Sequence, residues 1–149
     1  MSHLDTVQTI YAAFGRGDVP AILACLAEDI EWEYGTAPNP VPWLQPLRGR
    51  AEVPRFFETL GSQVEFRSFM PKQIIAEGNL VVGLIDLDAT VRATGKRVVE
   101  TDEVHLWHFN AQGLVQRFRH RADSWHHAMA LDPASLVPVS RAAATAAAA

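Results

Sequence analysis

Three stretches of the chain carry apolar residues at helical spacing. In the first, from His3 to Phe14, apolar residues recur every three or four positions, which predicts an amphipathic helix. Asp18 is placed to cap a short second helix with Pro20 in its first turn. The third stretch covers residues 51–63 and is predicted to end at Gly61. These stretches predict three helices in the first half of the chain.

Alternating apolar and polar residues predict strands elsewhere. Trp32 and Tyr34 alternate with Glu31 and Glu33, so we expect Trp32 and Tyr34 to point inward together. The later strands are predicted over residues 64–76, with a break at Pro71, residues 80–93 and the two arms of residues 98–123, before a last short helix over residues 124–131. Helices first and antiparallel strands later predict an α+β fold.

The two strands between Val98 and Asp123 form the most informative segment. A tight turn at residues 111–112 joins them. If Asn110 pairs with Gly113, the register places three pairs opposite each other: His105 with Phe118, Glu103 with His120, and Asp102 with Arg121. One face of this ribbon then carries Thr101, Glu103, His105, Trp107, Gln116, Phe118, His120 and Ala122. Aromatic rings mixed with histidines and a carboxylate are typical of the wall of a ligand pocket.

Four prolines stiffen residues 35–48, which also contain Trp43 and Leu44. Two interpretations are open: an ordered lid over an opening, or a loop whose tryptophan fills the edge of the core. At the other end of the chain, residues 133–149 form a tail rich in proline and alanine. We therefore predict one domain over residues 1–132, followed by this tail.

Composition narrows the classes of partner. The formal net charge of −4 leaves no basic stripe of the kind that nucleic acids require. Cys25 is the only cysteine, so no disulfide within the chain can form, and its apolar neighbours predict a buried residue. We find no membrane-spanning stretch and no signal-peptide pattern. These features predict a cytoplasmic protein that binds neither nucleic acid nor membrane.

His105 and His120 are the candidate catalytic residues, with Glu103 as the group that orients an imidazole. A carboxylate beside an imidazole raises its pKa and fixes its tautomer, as a general base requires. The alternative is a pair of hydrogen-bonded core histidines beside a solvated glutamate. A third interpretation is a metal site of two histidines and one carboxylate, but this needs a sharply curved sheet, so we predict no metal and no cofactor. His126 and His127 are expected in an exposed segment.

Aromatic residues supply the candidate binding surface. Large rings arranged around a cavity suit a flat hydrophobic ligand, although ordinary core packing would explain them equally well. The predicted substrate-binding residues are Tyr11, Phe14, Trp32, Trp43, Phe56, Trp107 and Phe118.

Three segments together resemble the NTF2-like superfamily, specifically its SnoaL-like and ketosteroid-isomerase-related members. The first segment begins at Tyr11 (YAAFGRGDVPAILACLAEDIEWEYG), and the second begins at Leu47 (LRGRAEVPRFFETL). The third is the pair of strands that ends in DEVHLWHFNAQGLVQRFRHRAD. The similarity covers roughly residues 4–130. It implies a cone in which a curved antiparallel sheet wraps around three helices, with an apolar pocket, and commonly a homodimer through the outer face of the sheet.

The resemblance also tests individual residues. Ketosteroid isomerases place an aspartate base at the position of Tyr34 and a neutral acid at the position of His105, with a tyrosine near Tyr11. A phenol with a pKa of about 10 does not replace that base, which argues against a conventional ketosteroid isomerase. SnoaL-type polyketide cyclases place an acid/base aspartate at the position of His105. Two hypotheses follow. One is a cofactor-independent lyase, isomerase or cyclase in which His105 moves a proton and Tyr34 or Tyr11 stabilises an oxyanion. The other is a non-catalytic module for ligand binding or dimerisation.

Overall fold

A computed structural model describes residues 1–135 of the chain. The helices are α1 (His3–Gly15), α2 (Val19–Leu23), α3 (Val53–Gln63) and α4 (Ser124–Leu131), and a 3₁₀ turn spans Pro42–Leu44. The strands are β1 (Leu26–Trp32), β2 (Leu47–Arg48), β3 (Val64–Glu77), β4 (Leu80–Val91), β5 (Arg97–Phe109) and β6 (Val115–Arg121). Most of the predicted tail, residues 136–149, lies outside the described residues, so the domain boundary at residue 132 stays a prediction.

Side-chain caps explain where several helices begin. Ser2 and Asp5 form a capping box at the start of α1. Asp18 accepts a hydrogen bond from the Ala21 amide, as the sequence predicts for α2. Asp123 likewise accepts one from the His126 amide and begins α4. Within residues 1–135, no helix combines the length and the apolar character needed to cross a lipid bilayer.

The six strands form one curved mixed sheet in the order β2-β1-β6-β5-β4-β3. The α+β class is confirmed. The expectation of a purely antiparallel sheet is wrong, because β1 runs parallel to β6. The chain reaches β6 only after the meander from β3, and β6 then lies beside β1 in the same direction. Buried residues of the helices pack against one face of this sheet.

The ribbon of β5 and β6 is shifted by two residues from the predicted register. His105 pairs with His120 and Trp107 pairs with Phe118, because the turn spans the residues between Phe109 and Val115. A shift of two preserves which face each side chain occupies. The predicted inward face of Glu103, His105, Trp107, Phe118 and His120 is therefore confirmed, although their partners differ.

A β-bulge in β5 changes the inward face near its middle. Glu100 pairs with Leu87 and Glu103 pairs with Ile85, so Thr101 and Asp102 lie opposite one residue of β4. Asp102 has a φ of 61°, a left-handed conformation that aspartate tolerates better than most residues. As a result Thr101 is exposed, and Glu100 and Glu103 are both buried.

Three further predictions about the strands and helices are wrong. Asp102 forms an ion pair with Lys72 at 2.6 Å and not with Arg121. β3 continues through Pro71 as an edge strand, where the missing N–H is tolerated next to an irregular pairing. Helix α3 continues past Gly61 to Gln63.

Candidate active site

An aromatic cavity lies between the helices and the inner face of the sheet. It contains about 750 Å³ of empty space, counting its opening to solvent. Every helix and every strand except β2 contributes a residue to its wall. All seven predicted substrate-binding residues line it: Tyr11, Phe14, Trp32, Trp43, Phe56, Trp107 and Phe118. Glu103, His105 and His120 line it as well.

A chain of hydrogen bonds runs through the wall of the cavity. The Trp107 indole N–H donates to the Tyr11 hydroxyl oxygen at 3.1 Å, and this oxygen lies 2.9 Å from His105 Nδ1. His105 Nε2 lies 2.8 Å from a carboxylate oxygen of Glu103. Glu103 is 4% exposed and His105 is 3% exposed, so both groups are shielded from bulk water. These hydrogen bonds connect α1 with β5 inside the fold.

The pKa shifts of these hydrogen-bonded groups indicate which atoms carry the protons. Burial opposes ionisation of Glu103, but the hydrogen bond from His105 and the nearby histidine charges prevail and lower its pKa to about 2. Burial lowers the pKa of His105, and the hydrogen bond to Glu103 offsets this only in part. Burial also raises the pKa of Tyr11. At neutral pH, His105 Nε2–H therefore donates to the Glu103 carboxylate, and Nδ1 accepts the Tyr11 hydroxyl proton.

A second glutamate–histidine pair lies beside the same cavity, and its histidine, His120, lines the wall. Glu33 directly follows β1 and has a φ of 58°, which turns its side chain into the fold, where it is 1% exposed. Its carboxylate accepts hydrogen bonds from the backbone amide of His120 at 2.9 Å and from His120 Nδ1. Burial disfavours the His120 cation, but the Glu33 carboxylate outweighs this and raises the pKa of His120. His120 therefore contributes to the cavity wall an imidazolium that is paired with the Glu33 carboxylate.

Tyr34 does not line the cavity, so the expectation that it points inward beside Trp32 is wrong. β1 ends at Trp32, and the left-handed turn at Glu33 breaks the alternation on which that expectation rests. The Tyr34 hydroxyl lies 2.6 Å from His108 Nε2, and Arg117 stacks over the Tyr34 ring at 3.9 Å. These contacts place Tyr34 away from the cavity wall.

A third buried pair was missed by the sequence analysis. His127 Nε2 lies 2.9 Å from a carboxylate oxygen of Glu100, and the Trp43 indole N–H donates to His127 Nδ1 at 2.9 Å. His127 lines the cavity and is 5% exposed, so the expectation of an exposed segment is wrong for this residue. The Asp123 cap begins α4 so that His127 and Ala130 share its buried face. The hydrogen bond between Trp43 and His127 thus connects the proline-rich residues 35–48 to α4.

Two sets of side chains bring potential metal ligands within 4.8 Å of one another: Glu103 with His105 and His120, and Glu103 with Glu100 and His127. The curved, bulged sheet does allow the first set to converge, so the geometric reason for setting metal aside is wrong. In the structure the histidines bond to glutamates in pairs. The prediction that the site holds no metal stays a prediction.

Comparisons with known proteins agree with this architecture. A family model of the SnoaL-like domain matches residues 7–118, and no curated protein matches the chain. An NTF2-like protein of unknown function from Burkholderia pseudomallei K96243 is 30% identical, with a TM-score of 0.72 over 84% of this chain and 94% of that one. An NTF2-like protein from Burkholderia thailandensis E264 is 28% identical, with a TM-score of 0.77 over 89% and 99%. The structure of TerC co-crystallised with polyporic acid is 22% identical, with a TM-score of 0.66 over 85% and 96%. The resemblance found in the sequence is confirmed: the chain belongs to the SnoaL-like family of the NTF2-like superfamily.

Proposed function

We propose that the protein binds a small hydrophobic carbonyl compound in the aromatic cavity and moves a proton on it, as a cofactor-independent isomerase, lyase or cyclase. The observation that supports this most strongly is the buried chain of hydrogen bonds from Tyr11 through His105 to Glu103, in a wall made mostly of aromatic and aliphatic side chains. Carboxylate-oriented imidazoles are the usual groups for proton transfer near neutral pH. Family membership fits this class of activity without naming a substrate.

The bonding pattern suggests how the proton would move. A proton leaving the carbon next to the ligand carbonyl passes to the Tyr11 oxygen while the Tyr11 hydroxyl proton passes to His105 Nδ1. The Glu103 carboxylate stabilises the imidazolium that forms, and the His120 cation stabilises the negative charge on the ligand. Return of the proton to another carbon completes an isomerisation. Tyr34 has no part in this scheme because it lies outside the cavity.

The alternative is a non-catalytic module that binds an apolar ligand. One observation favours it: the polar groups in the wall already have hydrogen-bond partners within the protein. The Tyr11 hydroxyl bonds to Trp107 and His105, and His105 bonds to the Glu103 carboxylate through its other ring nitrogen. Such a chain is stable without any substrate, and a buried polar network of this kind also serves folding specificity.

A proton-exchange experiment separates the two functions without knowledge of the natural substrate. Hydrophobic ketones are incubated with the protein in D₂O, and deuterium uptake next to the carbonyl is followed by NMR. We expect the wild-type protein to accelerate exchange and His105→Gln to lose about 10²–10⁴-fold of that acceleration, the usual contribution of a general base. Tyr34→Phe is the matched control and should exchange at the wild-type rate.

Binding is measured on the same variants with polyporic acid and 17-OHP, which are named for TerC and for a designed binder of this fold. The protein is a binding module if two results are found together. A ligand binds equally to the wild type and to His105→Gln, and neither protein accelerates deuterium uptake by the ketones over buffer. The catalytic proposal is then wrong.

Two further proposals come from the sequence. A homodimer through the outer face of the sheet fits the half-buried apolar strip on β4 and β5, where Val82 pairs with Leu106 and Leu84 pairs with Val104. The cytoplasmic location stays a prediction from the sequence.

A further inference from the structure

Trp32 differs from the other two tryptophans that line the cavity. The indole N–H of Trp43 donates to His127, and that of Trp107 donates to Tyr11. The indole N–H of Trp32 has no acceptor among residues 1–135, although the side chain is 2% exposed. A buried donor without a partner is costly and uncommon in native proteins, so it calls for an explanation.

The surroundings of Trp32 are aromatic and offer the indole N–H no oxygen. Its ring packs against Phe118 at a centroid distance of 4.2 Å and against Phe56 at 5.2 Å. The same two phenyl rings contact the imidazole of His120, at 4.6 Å and 5.5 Å. Trp32 and His120 therefore belong to the same end of the cavity.

We propose that the Trp32 indole N–H is a specificity-determining donor that binds an acceptor oxygen of the ligand at the His120 end of the cavity. This rests on the proposed function, because it assumes that the cavity takes a small hydrophobic ligand. It adds the chemistry of that ligand: a flat aromatic or polycyclic body with a carbonyl or similar oxygen near its edge. A site with an unpaired buried donor discriminates strongly against an analogue that lacks the matching acceptor.

The test uses two rigid tricyclic probes that differ in one oxygen: 9-fluorenone, a ketone, and fluorene, in which a CH₂ group replaces the carbonyl. Equilibrium dialysis gives the affinity of each probe for the wild-type protein and two variants. We expect fluorenone to bind wild type about 10-fold more tightly than fluorene, the worth of one buried hydrogen bond. Trp32→Phe should reduce this ratio to about 1.

Trp107→Phe is the matched control, because it removes an indole N–H that is already bonded to the protein. Its loss of packing should affect both probes alike, so the 10-fold ratio should persist. Neither probe carries a proton on carbon next to a carbonyl, so binding is measured independently of turnover. If Trp32→Phe does not fold, the indole N–H signal of Trp32 in the NMR spectrum of ¹⁵N-labelled wild type gives the same answer: it should shift with fluorenone and stay nearly unchanged with fluorene.

Three results would overturn the proposal: equal affinity of wild type for the two probes, a ratio that survives Trp32→Phe, or an indole signal that responds equally to both. Binding of neither probe would overturn both this proposal and the proposed ligand class. Ketone-selective binding that depends on Trp32, in a protein without exchange activity, would retain this inference and refute only the catalytic part of the proposed function.

Discussion

Replacing Gly83 with alanine is expected to destabilise the protein by about 2–4 kcal/mol, the combined effect of overpacking and a lost buried hydrogen bond. Gly83 lies on β4 directly opposite His105. A Cβ atom at this position would overlap the Tyr11 hydroxyl and lie 3.3 Å from Cζ of the same ring. The ring cannot simply move aside, because its hydroxyl is bonded to His105 and Trp107. The substitution should therefore separate Tyr11 from His105.

Gly61→Ala is the matched control for this prediction. Gly61 lies inside α3, and an added Cβ would meet no atom within 4 Å. Alanine in a helix interior is favoured over glycine by about 0.5–1 kcal/mol, so this variant should be slightly more stable than wild type. Urea unfolding measures both changes. A Gly83→Ala protein as stable as wild type would show that Tyr11 does not occupy the position described.

Replacing Glu103 with glutamine should cost about 2–4 kcal/mol near neutral pH, because the carboxylate is buried among histidines that favour its charge. The sign of its pH dependence follows from the pKa. The pKa of Glu103 falls from the ordinary 4.5 to about 2 on folding, so its stabilisation is complete above pH 4.5 and is lost as the pH falls toward 2.

The difference in unfolding free energy between wild type and Glu103→Gln should accordingly shrink between pH 4.5 and pH 3. Glu65→Gln is the control, because the Glu65 side chain is 65% exposed in a surface pair with Arg92 and should change stability little. A Glu103→Gln protein that unfolds like wild type at pH 7 would mean that the carboxylate is not held as an anion between histidines.

The periodicity of the sequence was sufficient to predict which side chains meet in the cavity. Residues two apart on a strand share a face whatever the exact register, so the inward positions of His105 and Phe118 survived a two-residue error in pairing. Helical spacing placed Tyr11 and Phe56 in the same way. Predictions of this kind depend on regular backbone.

Two of the errors occur where the backbone departs from regular geometry. The bulge at Thr101 and Asp102 adds Glu100 to the inner face of the sheet. The left-handed turn at Glu33 directs the Glu33 side chain into the fold and the Tyr34 side chain away from the cavity. Neither follows from alternation alone. A turn signal was present for Glu33, since Gly35 lies only two residues later, whereas the bulge has only the left-handed tolerance of Asp102 as a local sign.

Three glutamate–histidine pairs around one aromatic cavity are the central feature of this structure, and their protonation can be observed directly. The pKa of His105 is lowered by burial, so it should stay neutral as the pH falls below 6.5. The pKa of His120 is raised by Glu33, so it should stay protonated as the pH rises above 6.5. The stabilisation from the Glu33–His120 pair is thus complete below pH 6.5 and is lost at higher pH.

The most direct test is a pH titration of the imidazole nitrogens by ¹⁵N NMR, with the six histidines assigned by single substitutions. At pH 6.5 the structure predicts a neutral His105 with the proton on Nε2 and a His120 with both nitrogens protonated. If His105 and His120 instead titrate together near 6.5, as free histidines do, the buried pairs do not control their protonation and the proposed division of roles is contradicted.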